Sequence, residues 1–375
     1  MKDLPIDSGY LRRVLHDLLE IPSPTGMTDH AVGYVCTELA NLGIPFELTR
    51  LGAIRADLKS SGGTAQRALV SHLDTLGAII KGFHAANEWP KLSPIGNWSA
   101  RFAEGARVTV FSDDERRTTG TILPLKASGH TYGDDIDKQP TDWTNLELRL
   151  DAKVHSEADI RALGINVGDI VAVHPEPVFT PTGFVNSRHL DDKAGVASVL
   201  TAAKALRDNA VGLPMTCHLL FTIYEEVGVG ASHILHGDVA EMVSVDNGTI
   251  ASVQYTCDYG VTIAMQDSGG PYDWHLTRSL IGLCKTFGIF HTRDVFNHYH
   301  SDAAAALEAG NDIRTALVCF GLDASHGWER VHMDSLTELT RLLVLYAQSP
   351  PLFTRDSEAL GPVGDLPASE DGAQA

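Results

Sequence analysis

The sequence predicts an α/β protein: a mixed, mostly parallel sheet with helices on both faces, interrupted by a small inserted β-barrel. Three observations carry this. Helical periodicity alternates with short apolar runs over residues 1–81 and again over 183–350, as β-α-β units require. Between residues 82 and 182 the alternation gives way to short strands punctuated by polar turns, the texture of a small barrel or sandwich. The run 215–223 is almost continuously apolar, which suits a strand covered on both faces.

The elements follow in order. Leu11, Val14, Leu15, Leu18 and Leu19 mark one stripe of a helix over 8–20, with Ser8 as its expected N-cap. The sequence IPSPTG breaks it. Val32, Val35 and Leu39 share a face of a second helix, which starts near Thr28 and stops at Gly43. A strand is expected at 46–49, and Ala68, Leu69 and Val70 lead another into His72. Within 82–182, strands are expected at 107–111, 121–123, 145–150 and 169–173, with a short helix over 156–163. Beyond it, 192–206 reads as a helix with Val196, Val199, Leu200, Ala203 and Leu206 inward. Shorter apolar strands at 242–245 and 315–320 and a helix at 334–348 complete the α/β part. Residues 351–375 form a tail, polar, small and Pro/Gly-containing from 357 onward, for which disorder is expected.

The chain of 375 residues is long enough for a large core and two domains. A formal charge of -19 argues against nucleic acid or an anionic membrane as partner, since both would repel it. No stretch is long and apolar enough to span a bilayer. The five cysteines form no CxxC pair, which fits a reducing compartment, so a cytoplasmic location is expected.

Five separated segments place acids and histidines at the ends of expected strands or the start of a helix. They are SHLDTLGA with His72 and Asp74, RHLDDKAG with Asp191, YEEVGVGAS with Glu225 and Glu226, SVDNG with Asp246, and ASHGWERVH with His326. Ligands gather at the carboxyl edge of parallel sheets. Two imidazoles and several carboxylates converging there make a donor set for two divalent metal ions. Residues i and i+2 of an extended segment share a face, so His72 is the expected ligand and Asp74 the acceptor of its other ring proton. Adjacent carboxylates cannot point the same way, which divides Glu226 as ligand from Glu225 as general base. Likewise Asp191 is expected to bridge the metals and Asp192 to cap the helix. With 17 histidines in the chain most must be structural. His218, embedded in a strand, reads as core, and His298 and His300 as pocket candidates. Arg293 is the candidate counter-charge for an acidic substrate.

In that order the motifs resemble those of the family forty-two metallopeptidases, the tetrahedral and glutamyl aminopeptidases, from about Leu11 to Leu345. The resemblance implies a zinc-exopeptidase-like catalytic domain carrying an inserted dimerisation domain. It implies that His72, Asp191 and Asp246 hold one ion and Asp191, Glu226 and His326 the other, zinc first, with cobalt or manganese as alternatives. Glu225 would be the base that activates a metal-bridged hydroxide to release the N-terminal residue of a small peptide. Homo-oligomers built from dimers, up to dodecamers, are implied as well. His189 in SRHLDD, and His300 and Asp302 in YHSDAAAA, stand near the implied site and are substrate-binding candidates. The stretches LPLKASGHTYGDD, SVDNGT and DASHGWERVHMDSL resemble a subgroup associated with the osmolyte N-acetylglutaminylglutamine amide, which implies a role in osmolyte or small-peptide turnover.

Two other functions are open on the sequence. A related dimetal deacylase or amide hydrolase would act on N-acylated dipeptides and need no free amine. An inactive binding or scaffold protein on the same fold would lack a ligand or the base, and here none is missing.

Overall fold

The most apolar runs of the chain form its centre. In the computed structural model, which describes residues 1–60 and 66–353, strands Thr216–Thr222, Gln66–His72, Val239–Thr249 and Arg314–Asp323 lie side by side and parallel. Leu69, Leu219, Val243 and Val318 on these strands are all inaccessible, as strands covered on both faces require. The disorder expected over 357–375 lies outside the described residues. Antiparallel strands flank this centre: Phe46–Leu48 and Ile54–Leu58 on one side, Glu329–His332, Phe184–Ser187 and Val178–Phe179 on the other. Val261–Asp267 branches off antiparallel to Arg314–Asp323 and pairs in parallel with His291–Val295. The resulting sheet is mixed and 12-stranded.

The first helix, Ser8–Glu20, buries its Leu and Val stripe, but its cap is Asp7, not Ser8. Ser8 already has helical backbone, so the Asp7 carboxylate is the one placed to accept from Tyr10 N, at 2.9 Å. The second helix, Asp29–Asn41, follows Thr28, and the chain leaves it through Gly43 at φ 65°. The long helix Leu190–Asp208 carries the LDD motif and packs between the first helix and the last, Met333–Gln348.

A second, antiparallel sheet has its own core. Its six strands run in the order Pro90–Ile95, Gly77–Phe83, Ile170–Val173, Arg107–Phe111, Arg117–Pro124, Leu146–Leu150. The two end strands pack against each other, which brings the sheet close to a closed barrel. Ile80, Val108, Val110, Ile122, Leu148 and Val171 fill it. Gly77–Phe83 straddles residue 82, where the composition changes, because its apolar half reads as a continuation of the preceding segment.

Where the parallel strands begin, a buried clamp fastens the end of the last helix. Arg67 is inaccessible and donates to the Tyr346 carbonyl, to Ser349 Oγ at 2.8 Å and to Pro350 O at 3.0 Å. It pairs with Glu241 at 3.3 Å, and Glu241 in turn accepts from Tyr346 Oη at 3.0 Å and Leu352 N at 2.6 Å. Removing one member of such a buried pair typically costs about 3–5 kcal/mol.

Candidate metal centre and active site

Parallel register carries the motif residues to one edge. Thr222 lies opposite His72, and Ser244 opposite Val70, so Asp246 stands level with His72 two residues on. The loop after Thr222 brings Glu225 and Glu226, the loop after Asp323 brings His326, and the start of the Leu190–Asp208 helix brings Asp191. The chain turns sharply at three of these places. His189, Tyr224 and His326 have φ of 66°, 66° and 64°, a region that non-glycine residues rarely occupy and that clusters at functional sites.

Asp191 is the hub. Its Oδ1 lies 3.1 Å from His72 Nε2 and its Oδ2 3.3 Å from His326 Nε2. Glu226 Oε2 lies 3.5 Å from His326 Nε2, and Glu225 Oε2 3.7 Å from His72 Nε2. Both rings are oriented by backbone carbonyls: His72 Nδ1 donates to Asp74 O at 2.9 Å and His326 Nδ1 to Asn97 O at 2.8 Å. A neutral imidazole that donates from Nδ1 has a lone pair on Nε2. Each Nε2 therefore needs a cation between it and the Asp191 oxygen it faces, a proton when no metal is bound or a divalent ion when one is. A tetrahedral ion with bonds of about 2.0–2.1 Å sets its ligands about 3.3–3.4 Å apart, close to the spacings found.

The residues fit a metal in a second way. His72, Asp191 and Glu226 offer ligand atoms within 4.8 Å of one another, and so do His72, Asp192 and Asp246. Asp192 was not expected here. Its Oδ2 accepts from Ser71 Oγ and from His72 N at 3.2 Å, so it holds the end of the His72 strand instead of capping its own helix. Its Oδ1 is buried with no hydrogen-bond partner.

Charge balance points the same way. Burial raises Glu226 to about 8, and burial with the charge of Asp191 raises Asp246 to about 7. Burial also pushes Glu225, Asp192 and Glu329 well above the usual carboxylate range. Burial alone would lower His326, but the charge of Glu226 and the Asp191 hydrogen bond raise it to about 10. Burial works against ionised Asp191, yet hydrogen bonds from His326 and His72 hold it well below its ordinary value. The protein alone therefore keeps protons on buried carboxylates and on His326, which divalent cations can replace.

The supporting contacts differ from the sequence expectation. The Asp74 carboxylate stands 3.7 Å from His72 Nδ1, and the ring proton goes to the Asp74 carbonyl instead. The carboxylate accepts from Glu225 N at 3.1 Å, Glu226 N at 3.3 Å and Thr25 Oγ1 at 2.6 Å, so it fixes the turn that carries both glutamates. Glu329, unassigned from the sequence, joins two motif segments: it accepts from Asp191 N at 3.1 Å and from His326 N at 3.0 Å. Asn247 donates to Asp191 Oδ2 at 2.8 Å. The only sequence signals for these two were a Glu three residues after His326 and an Asn next to Asp246.

The four substrate candidates fall in different places. His189 is buried and its Nε2 contacts Val173 O at 3.1 Å; burial beside Lys193 lowers its pKa to about 3. Asp302 is buried too, and accepts from Thr222 Oγ1 at 2.6 Å and Ala231 N at 2.6 Å, so it supports the loop around Glu225 and offers no free oxygen to a substrate. His300 pairs with Glu308 at 3.2 Å. Arg293 is exposed on the strand His291–Val295, at the edge of the side branch, away from the motif residues. His218 stays in its strand, bonded to Asp57 at 2.8 Å.

Residues 52–342 of the chain match the family of M42 glutamyl aminopeptidases. The chain belongs to this family. It is a peptidase, and as an M42 aminopeptidase it has a relative in "Putative aminopeptidase YhfE" of Bacillus subtilis (strain 168), 36% identical over 90% of this chain and 97% of that protein. Among solved structures, aminopeptidase APDkam598 from the archaeon Desulfurococcus kamchatkensis shares the fold with a TM-score of 0.81 at 20% identity, over 91% of this chain and 95% of that one. The TET1 peptidase of Pyrococcus horikoshii, which can assemble into a tetrahedron or a large octahedral shell, matches with a TM-score of 0.78 at 21% identity, over 90% and 99%. Both relate this M42 chain to mixed α/β folds of one type. Among the described residues no helix is long and apolar enough to cross a membrane.

Proposed function

We propose that this M42 peptidase is a dimetal aminopeptidase that removes the N-terminal residue of small peptides. The observation that carries the reading is Asp191, with one oxygen toward the Nε2 of each of two imidazoles that backbone carbonyls orient through Nδ1. His72, Asp191 and Asp246 would hold one divalent ion and Asp191, Glu226 and His326 the other, zinc by preference, supplying Lewis-acid polarisation of the scissile carbonyl and acidification of water. Glu225 would take a proton from the attacking water and return it to the leaving amine; its carboxylate lies 3.7 Å from His72 Nε2, which supports that reading. Asp74 and Thr25 hold Glu225 in place through its backbone, and Asp302 supports the same loop from below. The substrate's free α-ammonium would be drawn to the surplus carboxylates.

The antiparallel barrel would serve as a dimerisation domain, and the chain would act as a homo-oligomer built from dimers, as large as a dodecamer. A cytoplasmic role in osmolyte or small-peptide turnover fits the sequence stretches noted above. The test is hydrolysis of free-amine and N-acetylated dipeptide amides with zinc, cobalt or manganese, with and without chelator. Chelator-sensitive release of the N-terminal residue from free-amine substrates alone is expected. Cleavage of the N-acetylated substrates instead would replace this reading with a deacylase.

A further inference from the structure

One buried amine has no role in the centre. Lys193 lies two residues after Asp191, is 1% exposed, and donates to a single acceptor, the Ile21 carbonyl, at 2.6 Å. Burial favours its neutral amine and the charge of Glu20 its ammonium, and either form has donor capacity that one acceptor does not use. It lines a cavity of about 420 Å³ at the junction of the two sheets, between the end of the first helix and the Ile170–Val173 strand. Arg117, Glu20 and Glu176 stand around the same cavity with their side chains toward solvent. Among the described residues none of these four charged groups has an ion-pair partner; Arg117 only lies over the Phe111 ring. Leu19, Pro22 and Val173 supply apolar wall.

A buried amine with donors to spare, a guanidinium and two carboxylates, none of them in an ion pair among the described residues, surround one partly apolar space and match a small ligand that carries one charge of each sign and an aliphatic group. We propose that this cavity binds a free aliphatic α-amino acid. Its carboxylate meets Lys193 at the base and Arg117, its ammonium meets Glu20 and Glu176 at the mouth, and its side chain lies on Leu19 and Val173. The site is separate from the metal centre but joined to it. The His189 ring lines both this cavity and the smaller one that contains His326 and Glu329, and Lys193 stands on the helix that starts with Asp191.

The experiment is a calorimetric titration of the metal-loaded, full-length protein with L-leucine. It is run with the active centre saturated by a dipeptide whose scissile bond is reduced and uncleavable, and repeated with N-acetyl-L-leucine and L-leucinamide. Two variants are compared, Lys193→Met and Glu20→Ala/Glu176→Ala; the second changes only exposed side chains and keeps the test valid if the first does not fold. Leucine is expected to bind in the presence of the dipeptide analogue. Either capped form should bind at least about tenfold more weakly, because each lacks one charge-assisted contact. Each variant should weaken leucine by a similar factor, and Glu20→Ala/Glu176→Ala should leave turnover of a saturating peptide unchanged. Displacement of leucine by the analogue, or unchanged affinity in the double variant, would overturn the inference. Binding is read without turnover, so a failure of the aminopeptidase reading shows separately, as absent hydrolysis.

Discussion

Each oxygen of Asp191 faces a different imidazole, and that makes it the residue whose loss should be felt most widely. Asp191→Ala is expected to lose both metals, as counted by elemental analysis of the purified protein; full occupancy of two sites would remove it from the bridge. Glu225→Gln should keep its metal and lose at least about a hundredfold in kcat, as expected for a general base. Near-normal turnover would move that role elsewhere. At this scale the sequence was legible where chemistry and order coincide. His72, Asp191, Glu226, Asp246 and His326 sit in five motifs whose convergence follows from strand ends in a parallel sheet. Asn247, Thr25 and Glu329 were not legible, because a lone polar residue beside a motif looks the same whether it faces solvent or a ligand's backbone. Asp192 was misjudged for a related reason. Asp at a helix start is usually a cap, and only the three-dimensional path shows its carboxylate bonded to Ser71 and His72.

Elements set how tightly these residues can be held. Gly195 on the Leu190–Asp208 helix leaves the space that Asp192 occupies: a Cβ there would sit 2.2 Å from Asp192 Oδ1. Gly195→Ala should therefore push Asp192 off the His72 strand and weaken metal binding by roughly 10–100-fold, as loss of a ligand-orienting partner does. Metal titration checks this, with circular dichroism to show that the helix survives. Unaltered affinity would mean that Asp192 has little hold on His72. The central strands were readable from their apolar runs, and the helices Ser8–Glu20 and Met333–Gln348 from periodicity. The strand Gly77–Phe83 was not placed, since a strand's sequence tells how it is buried but not which sheet it joins. Val261–Asp267 was not placed either: its seven residues mix Val, Ile, Ala and Met with Thr, Gln and Asp, too short a stretch to tell a strand from other structure by pattern alone.

The molecule as a whole carries the charge problem of its centre. Without metal, Glu226 at about 8 and Asp246 at about 7 hold protons that the unfolded chain has released. Where the folded state binds more protons than the unfolded, stability falls as pH rises. His326, raised to about 10, has the same sign: its contribution is full below its unfolded value and is lost as pH rises toward its folded one. Asp191 and Lys193 have the opposite sign: the window of Asp191 lies at acid pH, below the unfolded value of about 4, and Lys193, lowered by burial to about 7, offsets part of the loss above that pH, one group against three. The metal-stripped protein should thus melt at a lower temperature near pH 9 than near pH 6, and added zinc should raise Tm most at the higher pH. A Tm that climbs with pH in the stripped protein would show that the centre's negative charge is compensated in some other way.

The clamp at Arg67 has a practical consequence. Arg67 is the second residue of the strand that His72 closes, five residues later, so the two lie roughly 17 Å apart at 3.3 Å per residue. The last helix is pinned at the Arg67 end. An affinity tag or fluorophore attached behind the helix starts out on the side away from the metals, where it can report on assembly or be pulled on a surface while substrate still reaches the opposite edge.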